Sequence, residues 1–178
     1  MVSNNLSSAS RHTNSILGMN IDGNRVLLLY SGLTGHVQER IAFAPQREDS
    51  FQTVLEQIAV HADRLLTLTQ AQHLPVPDRI SAAVSGNYDN ETGILDSSRD
   101  VPNWKSVAIK SQLSLRFNLP VFMEHKANAG VLAESIFGAG QDVLNQVYVS
   151  QSPTVRLGML FGNQLYRIVS GTAGSLGV

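Results

Sequence analysis

Three β-rich runs followed by one sharply striped helix constrain this chain more than any other feature. Phe51, Val54, Leu55, Ile58, Ala62, Leu65 and Leu66 recur at three- and four-residue spacing behind Ser50, which predicts an amphipathic helix with a side-chain N-cap. Ahead of it, Ile16 to Ile21, Arg25 to Tyr30 and His36 to Phe43 read as strands. Asp22-Gly23-Asn24 predicts a tight turn between the first two, and Ser31-Gly32 with Thr34-Gly35 punctuates the next. A helix with a single apolar stripe must lay it on another layer, and an antiparallel meander supplies that layer.

Beyond the helix, Pro75 and Pro77 stop the pattern, and Arg79 to Val84 reads as a short buried strand running into Ser85-Gly86. The Asp-, Asn-, Gly- and Ser-rich segment from Asn87 to Asn103 predicts a loop with one hairpin strand at Gly93 to Leu95. Ile109, Leu113 and Phe117 mark a second helix, Val121 to Met123 a strand, and Lys126 to Phe137 a third helix whose Ala127, Ala129, Gly130 and Ala133 suit close packing. From Gly138-Ala139-Gly140 onward the pattern returns to strands at Val143 to Ser150, Val155 to Phe161 and Gln164 to Val169, with Gly162-Asn163 as a hairpin turn. The expected organisation is a flexible leader over residues 1–14, an α/β lobe with a mixed sheet and flanking helices over 15–138, and the start of a second lobe over 139–178. A Gly-rich stop at Val178 is read as the end of a partial chain or split product.

Composition narrows the function classes. A formal net charge of -1 leaves no basic surplus for neutralising nucleic-acid phosphates, so DNA contact is expected only through another segment. The chain has no cysteine, which excludes disulfides and thiolate metal sites, and it has no apolar run long enough to span a bilayer; a soluble cytoplasmic protein is expected.

Sharper signals occur in order: Pro102-Asn103-Trp104, then Leu119-Pro120-Val121-Phe122-Met123-Glu124, Ala127-Asn128-Ala129, Ala133-Glu134 and Phe137-Gly138-Ala139-Gly140. Together these resemble the ROK family of sugar kinases and sugar-responsive transcriptional repressors, and the resemblance continues in degraded form through Gly162 to Leu165 and the run Ser170 to Gly177. It implies an actin-like ATPase lobe of the ribonuclease H-like type, a carbohydrate ligand and a homo-oligomer.

The departures from the family pattern concern chemistry. ROK kinases resemble one another in placing an Asp general base after Asn just before Ala-Asn-Ala; here that pair is His125-Lys126, and an ammonium has no lone pair with which to accept a proton. The first phosphate turn, resembling Asp-Ile-Gly-Gly-Thr in the kinases, is Asn20-Ile21-Asp22-Gly23-Asn24, with a carboxylate that would repel phosphate. The place of the glycine-rich second phosphate loop is held by Ser152-Pro153-Thr154-Val155-Arg156-Leu157-Gly158, and the sugar-gripping, zinc-starting segment appears as Gly174-Ser175-Leu176-Gly177-Val178. No catalytic residue, cofactor or metal site is therefore expected, with the base position occupied by Lys126.

By the resemblance, Asn103, His125, Lys126, Ser85, Gly86 and Ser175 are the candidate ligand-binding residues. Each has a structural counterpart: Pro-Asn-Trp can be an anchored turn, His125-Lys126 a solvated helix start, and Ser85-Gly86 a simple turn. Asn128 is read as a structural hydrogen-bonding residue, and Glu124 and Glu134 as solvated or ion-paired. Three readings follow: an effector-sensing module, for a sugar or sugar phosphate, of a ROK-type regulator; an ATP-dependent sugar kinase; or a non-catalytic dimerisation module. In the first, DNA is reached only through a helix-turn-helix that this chain lacks.

Overall fold

The computed structural model describes residues 14–32, 34–98, 101–152, 154–167 and 175–176. The leader assigned to residues 1–14 thus lies outside the described residues except for Asn14.

Strands β1 (Ser15–Ile21), β2 (Val26–Gly32) and β3 (Val37–Phe43) form the expected antiparallel meander, with Ile21 facing Val26 across the first turn. Period-two alternation puts Leu17, Met19, Ile21, Val26, Leu28 and Tyr30 on one buried face. Helix α1 (Phe51–Ala71) lays its stripe on that face, and Phe51, Val54, Leu55, Ile58, Ala62 and Leu65 are all buried. Each such aliphatic side chain contributes about 1.5–3 kcal/mol of burial free energy. Ser50 caps the helix by accepting from the Thr53 N–H at 3.1 Å.

Strand β4 (Arg79–Val84) pairs parallel with β1, an excursion follows, and helix α2 (Ile109–Phe117) returns the chain to β8 (Val121–His125), parallel to β4. The excursion is more structured than its composition suggests. It holds β5 (Asn87–Tyr88), β6 (Ile94–Ser97) and β7 (Val107–Ala108) in a small antiparallel sheet. The main sheet runs β3-β2-β1-β4-β8. Because β1, β4 and β8 are parallel, their C-terminal ends open on one edge, where open α/β sheets present their ligands.

Helix α3 (Lys126–Phe137) leaves that edge and packs against a second sheet made of β9 (Gln146–Ser152), β10 (Thr154–Phe161), β11 (Gln164–Leu165) and β12 (Ser175–Leu176). The Gly138–Gly140 segment expected to divide two lobes is the turn after α3, between the sheets. The small residues of α3 do bring backbones close: Gly130 faces the Tyr148 ring, and a methyl group on Gly158 of β10 would overlap the Ala127 carbonyl oxygen. The β10–β11 turn has positive φ at both Gly162 (57°) and Asn163 (61°), as a two-residue hairpin requires.

These two glycines predict different costs. Gly158→Ala pushes a methyl into a backbone oxygen that cannot rotate away, and it is expected to destabilise by more than about 2 kcal/mol. Gly162→Ala meets nothing within 4 Å and carries only its positive-φ cost of about 1 kcal/mol. Urea unfolding of both variants checks the order, and a Gly158→Ala midpoint above that of Gly162→Ala contradicts the close packing of α3 on β10.

Candidate functional site

The parallel ends of β1, β4 and β8 deliver Asp22, Ser85-Gly86 and Glu124-His125-Lys126 to the same edge. Lys126 Nζ donates to Asp22 Oδ2 at 2.7 Å. The other carboxylate oxygen, Oδ1, accepts the backbone N–H groups of Asn24 at 3.0 Å and Arg25 at 2.8 Å. Asp22 is only 8% exposed. Two of the turn's amides and one N–H of the neighbouring ammonium are thus already engaged by the chain's own carboxylate. The carboxylate expected to repel phosphate also draws these donors to itself.

His125 is fully buried and ends β8 where α3 begins. Its Nδ1 accepts the Ala127 N–H at 3.4 Å, and its Nε2 lies 3.4 Å from Arg156 Nη1 on β10. The ring lies nearly parallel to Tyr88 at 6.4 Å and makes a hydrogen bond with the Gly86 backbone. A neutral imidazole has one acceptor nitrogen, so the Ala127 and Arg156 donors compete for it. Burial first, and the Arg156 charge second, push the His125 pKa down to about 4.

Glu124 points the other way from its strand and is equally engaged. Oε1 accepts the His125 N–H at 2.8 Å and Asn128 Nδ2 at 3.0 Å, while Oε2 accepts Arg167 Nη2 at 2.6 Å. Burial, with the Glu124 charge second, holds the Tyr88 phenol well above its ordinary pKa. Among the described residues, the buried side-chain polar atoms without a partner are Asn20 Oδ1, Tyr88 OH, Asn128 Oδ1 and Arg156 Nε. All border this junction: Tyr88 and Arg156 flank His125, Asn128 bonds Glu124, and Asn20 shares the sheet row Asn20–Ala83–Glu124. An unsatisfied buried polar atom costs about 1–3 kcal/mol, and two of the four lie beside Glu124 and two beside His125.

Of the residues singled out from the sequence, Ser85, Gly86, His125 and Lys126 meet at this edge, and Ser175 on β12 pairs directly opposite Arg156. For Asn103, Nδ2 donates to the Glu48 carbonyl at 3.2 Å, beside Trp104, whose Nε1 donates to the Asp49 carbonyl at 3.0 Å. Both tie the excursion to the β3–α1 connection, which leaves edge strand β3 at the end of the sheet where β1, β4 and β8 also end. Asp22, Tyr88, Arg156 and Arg167 were not among the candidates. An available signal was Arg156 itself, a long cation in a run where glycine amides were looked for. Among the described residues no three His, Asp or Glu side chains converge on a metal position, and no helix is long and apolar enough to cross a membrane.

The buried His125 sets a pH dependence. Unfolded, it takes a proton near pH 6.5; folded, it resists protonation until about pH 4, with Arg156, Glu124, Tyr88 and the neighbouring Lys126 around it. Its contribution is therefore complete above pH 6.5 and lost as the pH falls towards 4, on the order of 3 kcal/mol in all. Thermal unfolding at pH 7.5, 6.0 and 5.0 is expected to show that decline in the wild type and a flatter profile in His125→Asn, which keeps a capping acceptor. Parallel profiles contradict the assignment.

Comparison with known proteins places this geometry. The model of the ROK family matches residues 28–177. A xylose repressor from Bacillus subtilis (strain 168) is 38% identical over 98 residues, which are 55% of this chain and 25% of the repressor. Among solved structures, a ROK family transcriptional regulator homologous to the E. coli MLC protein superposes with a TM-score of 0.77 at 24% identity, covering 92% of this chain and 40% of the regulator. A ROK family glucokinase from Streptomyces griseus, solved with glucose and AMPPNP, gives 0.78 at 19% identity, covering 90% and 48%. The chain spans less than half the length of each of these relatives. The fold is that of the ROK sugar kinases and regulators, an actin-like ATPase lobe, and the chain belongs to the ROK family.

Proposed function

We propose that this chain is the effector-sensing part of a ROK-type transcriptional regulator, binding a carbohydrate at the β8–α3 junction without transferring phosphate to it. The observation that carries this reading is the 2.7 Å ion pair between Lys126 and Asp22. Phosphoryl transfer to a sugar needs a group that takes the hydroxyl proton and backbone donors that hold the nucleotide phosphates. Here the position for the first is an ammonium donor, and the donors for the second are bonded to Asp22.

Carbohydrate binding draws on different features, and those are present. Sugar hydroxyls both donate and accept, and the unpartnered Tyr88 OH, Asn128 Oδ1 and Asn20 Oδ1 call for such groups. The similarity to xylose repressors makes D-xylose the first sugar to test, and their name puts DNA binding in the whole protein's activity. Among the described residues no helix pair forms a helix-turn-helix, so operator contact is assigned to a segment outside them, with a homo-oligomer as the functional unit.

A coupled ATP-turnover screen over common hexoses and pentoses is expected to stay at background for the wild type. Turnover that Lys126→Ala abolishes would falsify this reading. Thermal unfolding with D-xylose and D-glucose is expected to show a rise of several degrees for a sugar held at about 100 times its Kd, which corresponds to about 2.7 kcal/mol. A flat response to every carbohydrate, with a tight dimer by light scattering, favours a purely structural module.

A further inference from the structure

Resting on the carbohydrate reading above, we propose that the ligand of this site carries an oxyanion, recognised by Arg156, so that the effector is an anionic sugar rather than a neutral one.

The junction gathers three cations and two carboxylates. Lys126 is paired with Asp22 and Arg167 with Glu124, which leaves Arg156, among the described residues, as the cation of this junction with no carboxylate partner. Among the described residues its side-chain hydrogen-bond partner is His125, a fully buried ring that must also serve the Ala127 N–H. That neighbour is no substitute for an anion. Burial keeps the ring neutral at physiological pH, and a neutral imidazole offers a single lone pair.

The geometry of the guanidinium points the same way. Nη1 is directed at His125, while Nε is buried without an acceptor, so the edge of the fork that contains Nε is unfilled. A carboxylate or phosphate oxygen matches such an edge with two parallel hydrogen bonds, the arrangement in which arginine outperforms lysine. Arg156 lies where a carbohydrate would meet it, opposite Ser175 in the β10–β12 ladder and against His125 at the end of β8. An unpaired, partly buried guanidinium costs free energy in the empty site, and an incoming anion offsets that cost and brings the local charge count to balance. The shared chemistry is an oxyanion on a sugar, which a sugar acid or a sugar phosphate can supply.

Isothermal titration of the full chain with D-glucuronate, D-glucose 6-phosphate, D-glucose and D-xylose separates the cases. An anionic sugar is expected to bind at least about 10-fold tighter than its neutral counterpart. Its affinity is expected to fall between 0.05 and 0.5 M NaCl, while that of the neutral sugar stays level. Glucuronate leading identifies a sugar acid, and glucose 6-phosphate leading identifies a phosphate ester. Arg156→Gln is expected to weaken the anionic sugar by about 30-fold, about 2 kcal/mol, and the neutral one by less than about 3-fold. Arg156→Lys, which keeps the charge and loses the fork, is expected to fall between. If Arg156→Gln does not fold, the wild-type preference and its salt dependence decide the matter alone. Neutral sugars binding as well as anionic ones, without salt dependence, overturn the inference and leave the carbohydrate reading standing. Absence of binding by all four overturns both.

Discussion

The structure turns on three consecutive side chains at the β8–α3 junction, each of which ties down a different element. Strand alternation sends Glu124 and His125 to opposite sides, and the start of the helix sends Lys126 off the edge. Glu124 receives Arg167 from beyond β11, His125 faces Arg156 of β10, and Lys126 reaches back to the β1–β2 turn. Of the two ion pairs, Lys126–Asp22 is the better shielded from water, so breaking it leaves a buried carboxylate uncompensated and it helps fix how the turn meets α3. The close approach of Gly158 to the Ala127 carbonyl belongs to the same constraint, because it sets β10 against the first turn of α3.

The departures from kinase chemistry are conversions of polar groups rather than gaps. At the first turn, the amides that would face phosphate are bonded to Asp22, whose second oxygen is held by Lys126. In place of the second phosphate loop the chain makes a hairpin, with Val155 opposite Gln151 and Arg156 opposite Ser150. Amides committed to a ladder cannot also cradle an anion, since each N–H donates once. Substitutions that look unrelated along the sequence therefore close into one arrangement, in which these backbone donors are consumed internally and, among the described residues, the buried side-chain donors Arg156 Nε and Tyr88 OH are left over.

Much of the fold was legible because its signals are local. The α1 stripe, the meander and the α3 bounds follow from periodicity and capping, and Arg79–Val84 follows from a bounded apolar run. The strands β5, β6 and β7 were mostly hidden, since elements of two to four residues carry no period and sit among Asp, Asn, Gly and Ser. The strand run expected from Val143 starts instead at Gln146, because the preceding residues turn, with Asp142 at positive φ and the Val143 N–H donating to the Gly140 carbonyl. The site was legible by position and not by partnership. His125 and Lys126 could be placed by motif, but the Lys126–Asp22 bond joins residues 104 apart, and nothing local to either announces the other. Asn103 shows the same limit: a family motif drew attention to it, but not to its bond with the Glu48 carbonyl, 55 residues away.

The proposed sensing role requires a ligand to interact differently with two arrangements of the protein, and the proposed site draws its residues from two sheets. Glu124, His125 and Lys126 belong to the first sheet and its helix, whereas Arg156 and Ser175 belong to the second. A carbohydrate that touches both groups gains its full contact free energy only at one relative setting of the sheets. By linkage, the same contacts bias the sheets toward that setting. The contact between Arg156 and His125 is the natural point of exchange, because two donors already compete there for one lone pair. A ligand that satisfies Arg156 removes one competitor and leaves the helix cap to the Ala127 N–H alone. On the proposed reading, binding at the edge is thereby connected to the packing of α3 between the sheets.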